Sequence, residues 1–397
     1  MTRIVVSGLG IVSPAGSDTD SFWQALLAGN GDFGEASTQP GKSIRVAEVR
    51  NQGFMEGLGL SPSACDRNAL FAVAAARQAL AAADLGTGLP RPERVGVILG
   101  NSAGGQCSTD DQYSRLYTQN KRPHPMTVAK VMVSSSASWV SMATGATGPC
   151  FVTSSACASS SHAIGTAMQF LRAGLADIVI AGGTEAPLSA GTLLAWDAMK
   201  IMSRTACRPF AAGRDGLMLG EGAGIIVLET EAHARGRGLA PTIEAAGFGF
   251  SADAGDIVAP NVDGMTRAMA LALADAGLDA GDLAYVNAHG TGTRANDRAE
   301  TQALKRLFGD RPVPPTSSIK GVTGHALGAA GAFEAIATIM AIENGMAPPT
   351  ANFDAPDPDC DIDCVPNRAR PMPIPIAMSN SFAFGGLNTA LIFKALQ

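Results

Sequence analysis

Short apolar segments with strand character alternate with amphipathic or alanine-rich segments along the whole chain. This alternation predicts an α/β protein whose buried sheets are covered by helices. The strand-like segments are residues 4–7, 95–99, 177–180, 224–228, 283–287, 314–317, 376–378 and 389–394, and the helix-like segments are residues 68–83, 158–171, 264–276 and 329–342.

Two segments of the chain are similar to each other. Residues 153–157 read Thr-Ser-Ser-Ala-Cys and residues 316–320 read Thr-Ser-Ser-Ile-Lys, and each is followed by small residues and then by a helix-patterned run. Such an internal repeat predicts a duplicated fold whose halves meet at one active site. In this pairing Lys320 takes the position of Cys157, and His325 follows soon after.

A polar, glycine-punctuated stretch at residues 231–241 separates two apolar segments and predicts the boundary between the halves. The predicted units are residues 1–236 and 237–397. The first is longer because of a polar, Ser/Thr-rich tract at residues 101–147, which contains Trp139. A tract of this kind is typical of a cap or an oligomer contact.

Composition narrows the function classes. With 397 residues, 46% of them hydrophobic, the chain can bury a large core. The net charge of −6 and the lack of a Lys/Arg-rich run argue against a nucleic-acid surface. No secretion signal is visible at the N-terminus, and no apolar run approaches the roughly 20 residues that span a bilayer. We therefore expect a cytoplasmic protein without nucleic-acid or membrane partners.

The seven cysteines are odd in number and irregularly spaced, which favours reduced thiols. Cys360 and Cys364 are close together but have no second ligand pair, so we expect no metal site there. Gly8 and Gly10 lack the third glycine of a dinucleotide fingerprint, so we expect no nicotinamide cofactor.

Cys157 lies between a strand-like segment and a helix-opening segment. Unpaired backbone N–H groups and the helix dipole favour a thiolate at such a turn. Thiol pKa values there fall to roughly 3.5–7.5, so we expect a thiolate at neutral pH without a dedicated base. The alternative is a buried, inert cysteine.

Two histidines and one ion pair are further candidates. His289 ends a strand at a Gly/Thr loop, where it could donate a hydrogen bond or transfer a proton, and His325 occupies a similar loop. The alternative for each is a structural histidine. Lys320, among small and apolar neighbours, would favour negative charge nearby, and Glu334 is its candidate partner. A surface lysine and a solvent-facing carboxylate remain the alternatives.

A glycine-rich segment at residues 379–388 completes the candidate set. Backbone amides of such a turn can form half of an oxyanion hole, and the amide of a nucleophilic cysteine can supply the other half.

Together these segments resemble the β-ketoacyl-ACP synthase family, the elongating condensing enzymes of fatty-acid and type II polyketide synthesis. The resemblance covers nearly the full chain, in residues 5–10, 155–159, 208–210, 220–224, 287–293, 320–328 and 380–386. It implies a thiolase-like duplicated α/β fold with five layers, αβαβα, that is usually dimeric.

The resemblance also implies catalytic roles. Cys157 would accept an acyl group from acyl-ACP, and His289 and His325 would assist decarboxylation of malonyl-ACP, with Lys320 and Glu334 tuning the site. The product would be a 3-oxoacyl-ACP formed by decarboxylative Claisen condensation.

Further roles follow from the same resemblance. The amides of Cys157 and Phe384 would form the oxyanion hole, and Phe384 would gate the acyl pocket. Thr291 and Thr293 would contact the phosphopantetheine arm, with Phe382 also in the substrate-binding set. The arm belongs to the acyl carrier protein, so no cofactor or metal of the chain's own is implied.

The implied partner is an acidic acyl carrier protein, which requires basic residues near the pocket mouth. Arg67, Lys200 and Arg204 are the candidates, and ordinary solvated charge is their alternative. The assembly would be a homodimer or a heterodimer with a ketosynthase-like chain-length factor.

The Cys, His, His set differs from that of related enzymes. Initiating synthases pair Cys with His and Asn, thiolases have a second Cys where His325 stands, and chain-length factors lack the cysteine. Residues 251–253, 257–260, 293–298 and 358–361 look similar to specialised nodulation-factor and polyene ketosynthases. The tract 126–142, which helps to line the acyl pocket in this family, leaves chain length open. Alternative functions are a pocket-shaping partner subunit with little turnover and an acyl hydrolase.

Overall fold

The computed structural model of this protein describes residues 2–396, in which ten of the fourteen strands form one hydrogen-bonded sheet. The strands are β1 (Ile4–Val12), β2 (Phe33–Glu35), β3 (Arg45–Ala47), β4 (Val95–Gly100), β5 (Cys150–Thr153), β6 (Ile178–Glu185), β7 (Gly222–Thr230), β8 (Ile243–Ala252), β9 (Tyr285–Asn287), β10 (Thr316–Ser317), β11 (Met346–Ala347), β12 (Arg370–Pro371), β13 (Ile376–Ala383) and β14 (Leu387–Ala395). The order in the large sheet is β10-β9-β13-β14-β8-β1-β7-β6-β4-β5.

Helices cover the sheet. They are α1 (Thr19–Ala28), α2 (Arg67–Ala82), α3 (Gln106–Gln119), α4 (Thr127–Val131), α5 (Ser135–Thr144), α6 (Ser159–Arg172), α7 (Ala190–Ala198), α8 (Glu231–Gly236), α9 (Val262–Ala276), α10 (Arg294–Phe308), α11 (Lys320–Thr323) and α12 (Ala330–Asn344). None of the helices within residues 2–396 is long and apolar enough to cross a membrane.

The sheet consists of two similar halves. They meet where β1 pairs with β8, from Ile4 opposite Ala245 to Val6 opposite Ile243. Each half ends in a parallel pair at its outer edge, β4 with β5 in one and β9 with β10 in the other. This symmetry agrees with the predicted duplication.

Three hydrophobic cores define five layers. α6 and α12 lie between the two halves and contribute Ile164 and Phe333 to the core that both halves share. α2 covers the outer face of the first half with Phe71, and α9 and α10 cover that of the second half with Met269 and Leu304. The αβαβα arrangement that the resemblance implied is therefore confirmed.

The central helix α12 shows how the sequence encodes a buried layer. Residues 330–342 of this helix are all buried. A helix that is apolar on every side must lie inside the protein, which is where α12 is found. It ends at Gly345, whose φ of 58° is the left-handed conformation that favours glycine.

Each predicted strand and helix coincides with or overlaps an observed element of the same type. The pattern missed several elements, among them the helices α1, α3, α5 and α7 and, close to the site, β8 and α10. β8 contains Gly247 and Gly249, where a Cβ would clash with backbone atoms of α9, so small residues conceal a central strand. α10 was missed because it carries acids on its buried face, including Asp297 and Glu300.

The two halves align differently from the way the sequence repeat predicted. Cys157 lies in a 3₁₀ turn, Ala156–Ala158, directly before α6, and the turn in the same place before α12 is Leu327–Ala329. Both turns begin with a left-handed residue, with φ of 48° and 47°. The counterpart of Cys157 is therefore Gly328, and the pairing with Lys320 was wrong. The connection from the strand to the turn is longer in the second half, residues 318–326 after β10 against residues 154–155 after β5.

The tract at residues 101–147 forms the cap helices α3, α4 and α5. It exposes large apolar side chains, namely Tyr113, Tyr117, Met126, Val128, Met132, Val133 and Met142.

All seven cysteines are free thiols, as predicted.

Candidate active site

Cys157 lines a pocket, and its sulfur lies 3.0 Å from Nε2 of His325. The side chain is 6% exposed. The turn that carries it follows β5, so an edge strand and the start of α6 together fix the sulfur's position.

Burial controls the ionisation of Cys157. Removal of water raises the pKa of the Cys157 thiol to about 12, although the Lys320 ammonium and the amides of Phe384 and Cys157 lower it in part. The prediction of a thiolate at neutral pH was wrong. Loss of water stabilises the neutral thiol of Cys157 more strongly than the start of the helix stabilises its anion. A base would have to remove the proton before the sulfur could act as a nucleophile, and Nε2 of His325 is in contact with that sulfur.

His289 follows β9 and is held by its own backbone. The N–H groups of His289 and Gly290 each donate to the Glu300 carboxylate at 2.8 Å. Burial, with the nearby Lys320 charge and His325, holds the pKa of His289 well below its usual range. Its imidazole is therefore neutral at physiological pH.

Lys320 determines which nitrogen of His289 carries the proton. Its Nζ donates to the His289 carbonyl at 2.5 Å and lies 3.3 Å from Nδ1. An ammonium group has no acceptor, so Nδ1 must accept and Nε2 must hold the hydrogen. Lys320 also pairs with the buried Glu334, as predicted from the sequence, and burial raises the pKa of Glu334 while the Lys320 charge opposes that shift.

His325 is fixed by hydrogen bonds of its backbone. Its N–H donates to the Met218 carbonyl at 2.6 Å, and its carbonyl accepts from Gly220 at 3.0 Å. Burial and the Lys320 charge hold the pKa of His325 well below its usual range. The two imidazole rings lie 5.3 Å apart, edge to face. Two neutral imidazoles therefore converge beside one sulfur.

Two backbone amides also point at the sulfur. They belong to Cys157 itself and to Phe384, and both lower the pKa of the thiol. Gly385 and Gly386 have φ of 81° and 66°, so the turn after Phe384 requires glycine. This arrangement offers two donors to an oxyanion at a carbonyl attached to Cys157.

The pocket above the sulfur has a cavity volume of about 120 Å³ and opens to solvent. Thr291, Thr293 and Phe382, which were predicted to bind substrate, all line it. The hydroxyl groups of Thr291 and Thr293 are 2.9 Å apart. The pocket wall therefore combines these hydroxyl groups with apolar side chains such as Leu217 and Met265.

Three residues outside the predicted set also shape the site. Glu300 accepts hydrogen bonds from the His289 backbone. The sequence signal for it was a second acid three residues before it on the same helix, Asp297 of α10. Trp196 on α7 stacks on Phe384 with ring centroids 5.9 Å apart, which no sequence pattern indicated. Glu185 accepts from the N–H groups of Ser102 and Gly328, and an acid at the end of the buried strand β6 was its signal.

The three candidate docking residues differ in their surroundings. Arg67 is largely engaged, because it donates to the buried Glu221 at 2.7 and 3.0 Å. Arg204 is exposed and pairs with Asp197. Lys200 is exposed, one residue before Ile201 at the pocket wall.

Comparison with known proteins agrees with this geometry. The family model for the β-ketoacyl synthase N-terminal domain matches residues 1–234, and the model for the C-terminal domain matches residues 242–354. The chain belongs to the β-ketoacyl synthase family. The protein is therefore an acyltransferase with a thiolase-like fold, as predicted.

Several β-ketoacyl synthase relatives resemble it over their full length. It is 44% identical to nodulation protein E of Rhizobium meliloti (strain 1021), over 99% of each chain. It is 37% identical to 3-oxoacyl-[acyl-carrier-protein] synthase 2 of Staphylococcus aureus (strain COL), over 100% of this chain and 99% of the relative. The solved structure of the ishigamide ketosynthase/chain length factor matches with a TM-score of 0.95, at 30% identity and over 100% of each chain.

Proposed function

We propose that this β-ketoacyl synthase is a 3-oxoacyl-ACP synthase that condenses malonyl-ACP with an acyl group carried on Cys157. The observation that carries the proposal is the convergence of one thiol, two neutral imidazoles and two backbone amides on one point. The half at residues 1–236 supplies the nucleophile, and the half at residues 237–397 supplies the histidines, Lys320 and the glycine-rich loop.

The first step is acyl transfer. His325 takes the proton from the Cys157 thiol, and the sulfur attacks the thioester carbonyl of acyl-ACP. The amides of Cys157 and Phe384 hold the oxyanion until the bond to the carrier sulfur breaks. The proton on His325 then passes to the departing pantetheine thiolate, so both histidines are neutral again.

The second step is decarboxylation of malonyl-ACP. The bond to the carboxylate breaks, CO₂ leaves, and the electron pair moves onto the thioester oxygen as an enolate. Nε2 of His289 donates its hydrogen to that oxygen, because Lys320 occupies Nδ1. Acylated Cys157 no longer donates to Nε2 of His325, so this ring takes the tautomer with its hydrogen on Nε2 and becomes the second donor. Two neutral donors stabilise the enolate without protonating its carbon.

The third step forms the carbon–carbon bond. The enolate carbon attacks the Cys157 thioester, and the oxyanion forms again at the two amides. Collapse releases 3-oxoacyl-ACP and the Cys157 thiolate, which takes up a proton from solvent in place of the one that left with the pantetheine thiol. Thr291 and Thr293 lie on the pocket wall where the phosphopantetheine arm would pass, and Lys200 and Arg204 would meet the acidic carrier surface.

The assembly follows from surface features. β5 is an unpaired edge of the large sheet, and the adjoining cap exposes apolar side chains such as Tyr117, 78% exposed, and Val128, 71% exposed. A second ketosynthase-like chain would cover both. The match to a ketosynthase/chain length factor supports a heterodimer as the alternative to a homodimer. The intact Cys157 site speaks against a pocket-shaping subunit with little turnover.

The decisive experiment is to incubate the protein with malonyl-ACP and each member of a panel of acyl-ACPs, and to measure the masses of the products by mass spectrometry. We expect 3-oxoacyl-ACP, two carbons longer than the acyl donor, from the protein alone or with an added chain-length factor. Free fatty acid instead of a condensed product would establish acyl hydrolysis and overturn the proposal. The members of the panel that react would identify the acyl class, and native mass would give the assembly.

A further inference from the structure

The reaction centre has the composition of a zinc site. One donor atom from each of Cys157, His289 and His325 lies within 4.8 Å of the others, and all three residues are buried. Thiolate and imidazole are the donors that Zn²⁺ and Co²⁺ accept in tetrahedral sites. Ordinary bond lengths to Zn²⁺ place such donors roughly 3.3–3.6 Å apart, so small side-chain rotations would close the set.

Lys320 opposes the binding of a metal ion by these three residues. With its ammonium 3.3 Å from Nδ1 of His289, the hydrogen of that ring lies on Nε2. A metal ion would need the lone pair of Nε2, and the displaced hydrogen on Nδ1 would then point at the ammonium. The positive charge itself also repels a divalent cation.

The ammonium cannot move away easily. Lys320 is 1% exposed, donates to the His289 carbonyl at 2.5 Å and pairs with Glu334, which is equally buried. Moving either member would leave a buried charge unpaired, which is strongly unfavourable. The obstacle to metal binding is therefore a fixed part of the site.

We propose that Lys320 keeps the Cys157, His289 and His325 centre free of thiophilic divalent cations, and that loss of its charge turns this centre into a zinc-type site. This role is separate from the condensation. It matters whenever Cys157 carries no acyl group, because only then is its sulfur available to a metal.

Binding of Co²⁺ to the purified full-length protein tests the proposal without any measurement of activity. The variants are Lys320→Met alone and Lys320→Met combined with Glu334→Gln, which leaves no unpaired buried carboxylate. Each is also made with Cys157→Ala, and Lys200→Met serves as the surface-lysine control. We expect thiolate-to-cobalt charge-transfer absorption in the Lys320 variants, with binding roughly 10- to 100-fold tighter than in the wild type. The absorption should vanish with Cys157→Ala.

Several results would overturn the proposal. These are wild-type binding as tight as that of the Lys320 variants, no Cys157-dependent absorption in a folded double variant, or the same gain in Lys200→Met. The wild type alone provides a check that needs no variant to fold. With five histidines in the chain, ¹⁵N spectra can assign the ring hydrogen of His289, and its placement on Nδ1 would contradict the mechanism.

Discussion

The sulfur of Cys157 lies 3.0 Å from Nε2 of His325, although 168 residues separate the two in the chain. In the proposed mechanism this contact joins the nucleophile to its base. It also joins the two halves of the fold, since Cys157 precedes α6 and His325 precedes α12.

Replacement of the nucleophile should abolish acyl transfer. With acyl-ACP alone, we expect wild-type protein to gain the mass of one acyl group and Cys157→Ala to gain none. Cys150→Ala, which removes the exposed cysteine of β5, is the control and should acylate normally. Intact-protein mass spectrometry measures this, and an adduct on Cys157→Ala would reject the assignment.

The two histidines should fail at different steps. His289→Ala should still acylate Cys157 but lose decarboxylation of malonyl-ACP by about 10²–10³-fold, because one enolate donor is missing. His325→Ala should lose both steps, since it also removes the base beside the thiol. Adduct formation and CO₂ release, measured separately, distinguish them; equal acylation defects in both variants would be inconsistent with this division.

Glu185 should make stability depend on pH. Burial raises the pKa of its carboxyl from 4.5 to about 7 in the folded protein. Its contribution is therefore fully present below about pH 4.5 and is lost as pH rises through 7, by at most about 3 kcal/mol.

We expect the Glu185→Gln variant to lack the part of the decline in unfolding free energy that comes from Glu185. The new amide oxygen can still accept hydrogen bonds from Ser102 and Gly328, so the variant should fold. Urea unfolding of wild type and variant at about pH 5 and pH 8 measures the difference. If the free energy of unfolding declines equally in both, Glu185 does not titrate as stated.

Trp196 should restrain the Phe384 gate. The two rings stack at 5.9 Å, and such a pair contributes about 0.5–1.5 kcal/mol beyond its buried area. Trp196→Ala should therefore change the ratio of kcat/KM between long and short acyl-ACPs by roughly 2- to 10-fold. Trp196→Phe, which can still stack, should stay near the wild-type ratio. An unchanged ratio in Trp196→Ala would show that the stack does not limit access.

Lys200 and Arg67 should separate docking from stability. Lys200→Glu should raise KM for malonyl-ACP by roughly 3- to 10-fold with little change in kcat, and added salt should reduce the effect. Arg67→Gln should instead lower the free energy of unfolding by on the order of 3 kcal/mol, because the buried Glu221 loses its partner. Steady-state kinetics and urea unfolding of both variants test this; a KM effect confined to Arg67→Gln would reverse the assignment.

Much of the fold could be read from periodicity. The apolar runs of β4 and β7 and the apolar helix α12 are local signals, and the predicted elements overlap the observed ones. The periodicity did not indicate β8, because this strand has glycines where it packs against α9. That requirement comes from a contact between two segments and is not visible in the local pattern. The repeat was misaligned for a similar reason, since only the φ angles of Ala156 and Leu327 identify the equivalent turns.

The sequence by itself determined the chemical groups of the site. Cys157, His289, His325 and Lys320 were candidates from residue type and local motif, because neighbouring residues encode a strand's end and a glycine-containing loop. Phe384 was a candidate from the family resemblance. Tertiary structure decided their chemical state. Burial keeps the thiol protonated, Lys320 sets the tautomer of His289, and Glu300 holds its backbone, because each depends on contacts between segments that are distant in the chain.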